Sequence, residues 1–274
     1  MLAVAWINTL FGFLFWLLFL AGCFVYTALV RQISARPEVR TDTAGVISDR
    51  TFGIPEAVLA IILISFMLLN VVVSVRSPST PLSSRDLAAN LVLTVVVLLI
   101  LVGFLELRRL SVDRLAGLSK YGITRAITTG AALLLAAYPL ISVADAITHR
   151  LAGSGSSKQS IVELFNGSHT MGQRVMIIIL AVAIAPISEE FVFRFFLYGV
   201  LRRYVGRFGA LIFTALLFAA VHAHLPSFAP LFVLAVCFTL AYEWSGSILV
   251  NMTMHSLFNA LSLFFLAFPQ LGDQ

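Results

Sequence analysis

Arg174-Val-Met-Ile-Ile-Ile-Leu-Ala-Val-Ala-Ile-Ala-Pro-Ile-Ser-Glu-Glu-Phe-Val-Phe-Arg194 is the stretch whose reading decides the fold. It is long and apolar enough to cross a bilayer, yet it carries Glu189 and Glu190 near its middle and Arg194 one turn later. An ionisable side chain at membrane depth costs several kcal/mol unless it is partnered, so its presence there points to function. Further along, apolar segments carry His222 and the pair His255 and Asn259, so carboxylate, guanidinium, imidazole and amide groups all occur within spans.

The rest of the chain has the same character. Of 274 residues, 60% are hydrophobic and 11% charged, and the mean hydropathy is +1.00. That composition excludes a soluble globular protein and predicts an all-α polytopic membrane protein. Apolar runs place about eight spans, near 3–30, 54–75, 87–107, 127–147, 174–200, 208–224, 228–243 and 246–268. The seventh is the weakest, being short and bounded by Pro226, Pro230 and Glu243. Continuous rather than alternating hydrophobicity excludes a β-barrel. The opening run has neither a charged n-region nor a cleavage pattern before Arg31 and reads as a retained span. Cys23 and Cys237 lie inside spans without metal-ligand spacing and read as packing residues.

A net charge of +5 does not indicate nucleic acid, because the basic residues are scattered over connections between spans, where lipid headgroups and the positive-inside rule place them. Alternate connections hold 12 Lys and Arg residues (Arg31, Arg36, Arg40, Arg50; Arg108, Arg109, Arg114, Lys120, Arg125; Arg202, Arg203, Arg207). The opposite connections hold 5, namely Arg76, Arg85, Arg150, Lys158 and Arg174. With eight spans, this bias puts both termini outside.

Residues 1–126 read as an N-terminal scaffold, ending in a 107–126 segment whose Leu107, Leu110, Leu115, Leu118 and Tyr121 recur at helical spacing against charges, as in a helix lying in the headgroup layer. Residues 127–274 read as the reactive core. The polar, Gly- and Ser-rich stretch 151–173 is expected to be an exposed loop suited to gating entry, with a short amphipathic piece at Val162 to Phe165. Asn166-Gly-Ser168 within it matches a glycosylation sequon of no weight without a secretory context.

Helical geometry assigns roles within the reactive core. Glu190 and Arg194 are four apart and share a face, as an ion pair requires. Glu189 points about 100° away and is free to act as a general base. His222, one turn after Phe218, is placed to bond the same water as Glu189, whereas His224 beside Pro226 reads as an interfacial residue. His255 and Asn259 share a face and supply N–H donors suited to a developing oxyanion, or to bonding between helices. Counted from the basic Arg202 to Arg207 turn, Glu189 and His222 both lie about 20 Å deep and His255 about 14 Å, so the three can converge in one cavity.

In order along the chain, Glu-Glu-x-x-x-Arg (Glu189, Glu190, Arg194), Phe-x-x-x-His (Phe218, His222) and His-x-x-x-Asn (His255, Asn259) resemble the CPBP family, the CAAX protease and bacteriocin-processing group that includes the type II CAAX prenyl endopeptidases. The likeness covers roughly residues 174–265, including the Gly246-Ser entry to the last motif. It implies an intramembrane endopeptidase in which Glu189 and His222 activate water, His255 and Asn259 stabilise the oxyanion, and Arg194 holds Glu190 in support. The family's metalloprotease label allows zinc on Glu189, His222 and His255, beside a metal-free route through glutamate-activated water, and the absence of the zincin signature His-Glu-x-x-His tilts the reading away from an obligatory zinc site. Expected partners are the bilayer and a membrane-associated or lipid-anchored protein or peptide, prenylated or not, and the expected setting is a bacterial or archaeal cell membrane. A bacteriocin-immunity or secretion-accessory role without catalysis is the alternative from the same resemblance. A proton-relay transporter is less supported, since no inverted repeat is visible.

Overall fold

The computed structural model describes residues 2–36, 52–76, 84–152, 165, 167 and 171–268. Asn166 and Ser168 of the expected sequon and most of the expected gating loop lie outside them. The described residues are built of helices: α1 (Leu2–Ala35), α2 (Ile54–Arg76), α3 (Ser84–Leu107), the short α4 (Val112–Ala116), α5 (Ile123–Ala152), α6 (Met171–Val221), α7 (Phe228–Ser245) and α8 (Ile248–Ala267). All but α4 are long and apolar enough to cross a membrane, which makes seven such helices against the eight expected spans.

Gly206 accounts for the difference. It interrupts α6 with φ 73° and ψ 171°, a backbone region open essentially to glycine alone. The chain doubles back there, and the ring of Phe193 packs 5.1 Å from that of Phe218. On an unbroken helix those residues would stand about 37 Å apart. The expected spans at 174–200 and 208–224 are therefore the two arms of one folded helix, and Arg202 to Arg207 form its bend. Gly206→Ala is expected to cost about 1–3 kcal/mol because a Cβ forces strain at this φ. Thermal unfolding in detergent measures it, and an unchanged midpoint would show that the bend does not depend on glycine.

At the centre of the bundle, α5 packs against α1, α7 and α8, and the second arm of α6 packs against α7. Close helix approach in lipid depends on small residues and good packing, because lipid tails are as apolar as the helices themselves. Gly22 on α1 follows this rule: a methyl there would run into the Ala136 carbonyl of α5. By contrast, α2 and α3 present most of their side chains outward, as lipid-facing helices do.

One end of the bundle is tied together by polar groups. Arg207 donates to the carbonyls of Ile33 and Arg36, and Arg203 to that of Phe52. Arg36 reaches the carbonyls of Glu243 and Trp244 at 3.3 and 3.1 Å. Glu243 accepts from Tyr198 at 2.7 Å and Arg202 at 2.8 Å. The scaffold does hold a buried charge that hydropathy hides: Glu56, fully enclosed at the start of α2, pairs with Arg108 at 2.8 Å and accepts from the Gly53 amide at 2.6 Å. The expected interfacial helix at 107–126 is instead two short pieces, α4 and a 3-10 turn at Leu118–Lys120, separated by Gly117 in the left-handed region with φ 64°. Gly117 lies against the Gly246 carbonyl, which docks this segment on the α7–α8 turn and leaves no room for one continuous helix.

Candidate active site

Two wide turns shape the first arm of α6. Segments Leu180–Ile184 and Phe191–Leu197 are π-helical and flank Ala185–Glu190. Such bulges re-aim side chains and occur often at functional sites. Pro186 explains the first, since its ring would collide with the Val182 carbonyl in a regular α-helix and it has no N–H to donate. The bulge sends the Ala185 amide to the Leu180 carbonyl. The Ala181 carbonyl thus loses its usual helical donor, Ala185, and the next amide in the π pattern would belong to Pro186. Asn259 of α8 supplies the replacement, donating Nδ2–H to Ala181 O at 2.8 Å.

Glu190 is fully buried and organises the interior of the site. Its Oε1 accepts from Arg194 Nη1 at 2.9 Å and faces His255 Nδ1 at 2.8 Å. The ion pair expected from the i, i+4 spacing is present. Arg194 is 1% exposed, and its guanidinium lies over the rings of Phe218 and Phe238, 4.5 and 5.2 Å from their centroids. Its Nη2 has no hydrogen-bond partner among the described residues, so the aromatic faces act as its counterpart. Asn251, absent from the sequence reading, donates to the Phe238 carbonyl at 2.6 Å and reaches Glu190 Oε2 at 3.4 Å. The signal was available: Asn251, His255 and Asn259 recur at i, i+4 and i+8 and form one polar stripe on α8.

Glu189 points elsewhere, as expected. Its Oε2 lies 3.8 Å from His255 Nε2 and, though buried, makes no hydrogen bond. A buried carboxylate oxygen without a donor is an acceptor waiting for one. His222 ends the second arm of α6 and holds its ring by an Nδ1 contact of 2.7 Å to the Phe218 carbonyl. Since a carbonyl only accepts, Nδ1 carries the proton and Nε2 of neutral His222 has the lone pair. Ala223 follows at φ 47°, a left-handed conformation uncommon for alanine, which turns the chain sharply after His222. His224 bonds Ser227 Oγ at 2.7 Å at the start of α7.

Glu189, His222, His255 and Asn259 line one cavity of about 510 Å³, together with polar groups of α5 and α8 such as Ser142, Asp145 and Ser262. The convergence inferred from depth is thus present in the structure. Glu190 and Arg194 lie behind this wall and Phe218 forms part of it. A second cavity of about 300 Å³, almost wholly apolar, lies between α2, α3 and α6, and Glu189 belongs to the walls of both.

A tight zinc site needs three or four side-chain donors converging at about 2.0–2.3 Å. No three His, Cys, Asp or Glu side chains among the described residues meet in that way. Glu189, His222 and His255 share a cavity without forming a metal cluster, so the arrangement does not fit a preformed zinc centre.

No curated protein and no solved structure matches the chain. A family model does, over residues 171–261, described as Rce1-like: Type II CAAX prenyl endopeptidase Rce1-like. The segment that contains both arms of α6, all of α7 and the polar stripe of α8, and with them every motif residue named from the sequence, matches the Rce1-like family of CAAX-type membrane proteases.

Proposed function

We propose that the chain is an intramembrane endopeptidase that hydrolyses a peptide bond of a membrane-associated protein or peptide with water activated by Glu189 and His222. The observation that carries this reading is the buried, unpartnered Oε2 of Glu189 in a cavity it shares with His222, His255 and Asn259. Glu189 takes a proton from water while the His222 Nε2 lone pair orients it. The hydroxide adds to the carbonyl carbon, and the carbonyl electrons move to oxygen. Glu189 then returns the proton to the departing nitrogen as the C–N bond breaks.

The oxyanion falls to His255 and Asn259. Glu190 accepts Nδ1–H of His255 at 2.8 Å and so fixes the ring with Nε2 turned toward the cavity, where an Nε2–H donates to the oxyanion whenever that nitrogen carries a proton. Asn259 spends one amide N–H on Ala181, which fixes the plane of the amide, and has a second to offer. The apolar cavity beside Glu189 would take a hydrocarbon chain or apolar side chain next to the reacting bond.

The test compares protein termini in membranes of cells carrying the wild-type chain with cells carrying Glu189→Gln. New termini that vanish in the variant support the reading, and identical sets of termini remove it. No step above uses a metal, so a strong chelator such as EDTA or phenanthroline is expected to leave the rate of the purified protein unchanged. Loss of activity restored by added zinc would replace this route with a metal-dependent one.

A further inference from the structure

We infer that the reaction cavity opens toward the non-cytoplasmic side of the membrane, so that its substrate is a protein or peptide segment presented from that side. This rests on the reading of the cavity as a reaction site, but its test does not.

The first observation is a strongly basic end of the molecule. Residues of the expected cytoplasmic connections gather there in three dimensions: Arg36 and Arg207 meet, Arg36 and Arg202 both reach Glu243, Arg108 pairs with Glu56, and Gly117 abuts Gly246. Among the described residues the connections at this end carry 10 Lys and Arg residues against 4 at the other. Basic connections stay on the cytoplasmic side of a membrane, so this end faces the cytoplasm.

The second observation is the direction of the cavity. On α8 its lining residues beyond His255 run only toward the C-terminal end, through Asn259 and Ser262 to Leu266. On α7 they lie in the N-terminal half, on α5 in the C-terminal half as far as Asp145, and on α6 they continue from Glu189 back to Leu180. Each of these directions leads away from the basic end. Between the site and the basic end the interior is closed: Phe238, Ala241, Asn251 and Met254 are 0% exposed and Arg194 and Tyr198 are 1% exposed. At the other end the half-exposed Asp145, 3.6 Å from His149, marks the mouth.

Together these give the site a sidedness that neither shows alone. A substrate reaches Glu189 from the non-cytoplasmic leaflet, and it meets a lining with Asp145 and Glu189 but, among the described residues, no lysine or arginine. A peptide carboxylate finds no fixed cation there, whereas a peptide with a basic side chain near the reacting bond finds Asp145.

Single-cysteine variants of the full chain, with Cys23 and Cys237 replaced by serine, test this in intact bacterial cells with a membrane-impermeant maleimide. Asp145→Cys is expected to be labelled in intact cells. Ser119→Cys, exposed at the basic end, is expected to be labelled only after permeabilisation. The reverse pattern, labelling of both from one side, or an Asp145→Cys thiol that reacts from neither side would each overturn the inference. The readout needs no turnover, so an inactive protein leaves it intact, and a proteolytic protein with the opposite labelling refutes it alone.

Discussion

Glu190→Leu is expected to lower stability by about 3–5 kcal/mol, the largest effect of any single substitution in the site. The variant leaves Arg194 as an uncompensated charge, 1% exposed, among Phe193, Phe218 and Phe238. It also removes the acceptor from His255 Nδ1 and the carboxylate near Asn251. Burying an ion pair is compensation rather than gain, so replacing both partners with apolar residues should recover much of the loss. The double variant Glu190→Leu with Arg194→Met is therefore expected to unfold close to the wild-type midpoint in detergent while remaining inactive, because His255 is no longer held. A double variant as unstable as the single one would show that the pair does more than neutralise itself. A stable and active double variant would show that the orientation of His255 is irrelevant to the reaction.

Glu189→Gln acts in the opposite sense. The side chain keeps its shape and is partly exposed to the cavity, so the unfolding midpoint should hardly move. The cleavage rate should fall by about 10²–10⁴-fold, the contribution of a positioned general base. His222→Ala is expected to fall within the same range, and the two losses should be strongly non-additive because both residues act on one water. Single-turnover cleavage of a reconstituted substrate measures this cycle. Unchanged cleavage in Glu189→Gln would remove Glu189 as the base, whereas a chain that cleaves nothing and keeps its cellular phenotype in Glu189→Gln would be the non-catalytic immunity or accessory protein that the same motifs allow.

A smaller effect is expected at Asn259. Asn259→Ala leaves the part-buried Ala181 carbonyl without its donor, at about 1 kcal/mol for a lost hydrogen bond. It should reduce stability as well as rate, and this separates Asn259 from Glu189, where only the rate should change. Parallel melting and cleavage curves for the two variants make the comparison.

Much of this arrangement was legible in the sequence because a lipid solvent simplifies the reading. Continuous apolar runs gave the spans, and charges inside them stood out because burial is so unfavourable. The i, i+4 spacing gave the Glu190–Arg194 pair and the separate direction of Glu189. Depth counted from the basic bend placed Glu189, His222 and His255 at compatible levels, as the common cavity shows.

Spacing within one helix could not reveal what depends on another. Which nitrogen of His255 meets Glu190, and that Asn259 caps a carbonyl deprived of its donor by Pro186, follow from how α8 lies against α6. Asn251 passed unnoticed because a lone amide in an apolar run means little until a carboxylate is found opposite it. The bend at Gly206 was expected only as a connection, and the structure makes it a fold in one helix. The amino-acid order by itself determined a membrane-spanning α-helical chain and singled out six polar side chains within its spans, since hydropathy and helical period are local properties. Only the tertiary structure decided their pairing, the cavity they enclose and the direction in which it opens, because those depend on which helix faces lie against each other across distances that no local pattern encodes.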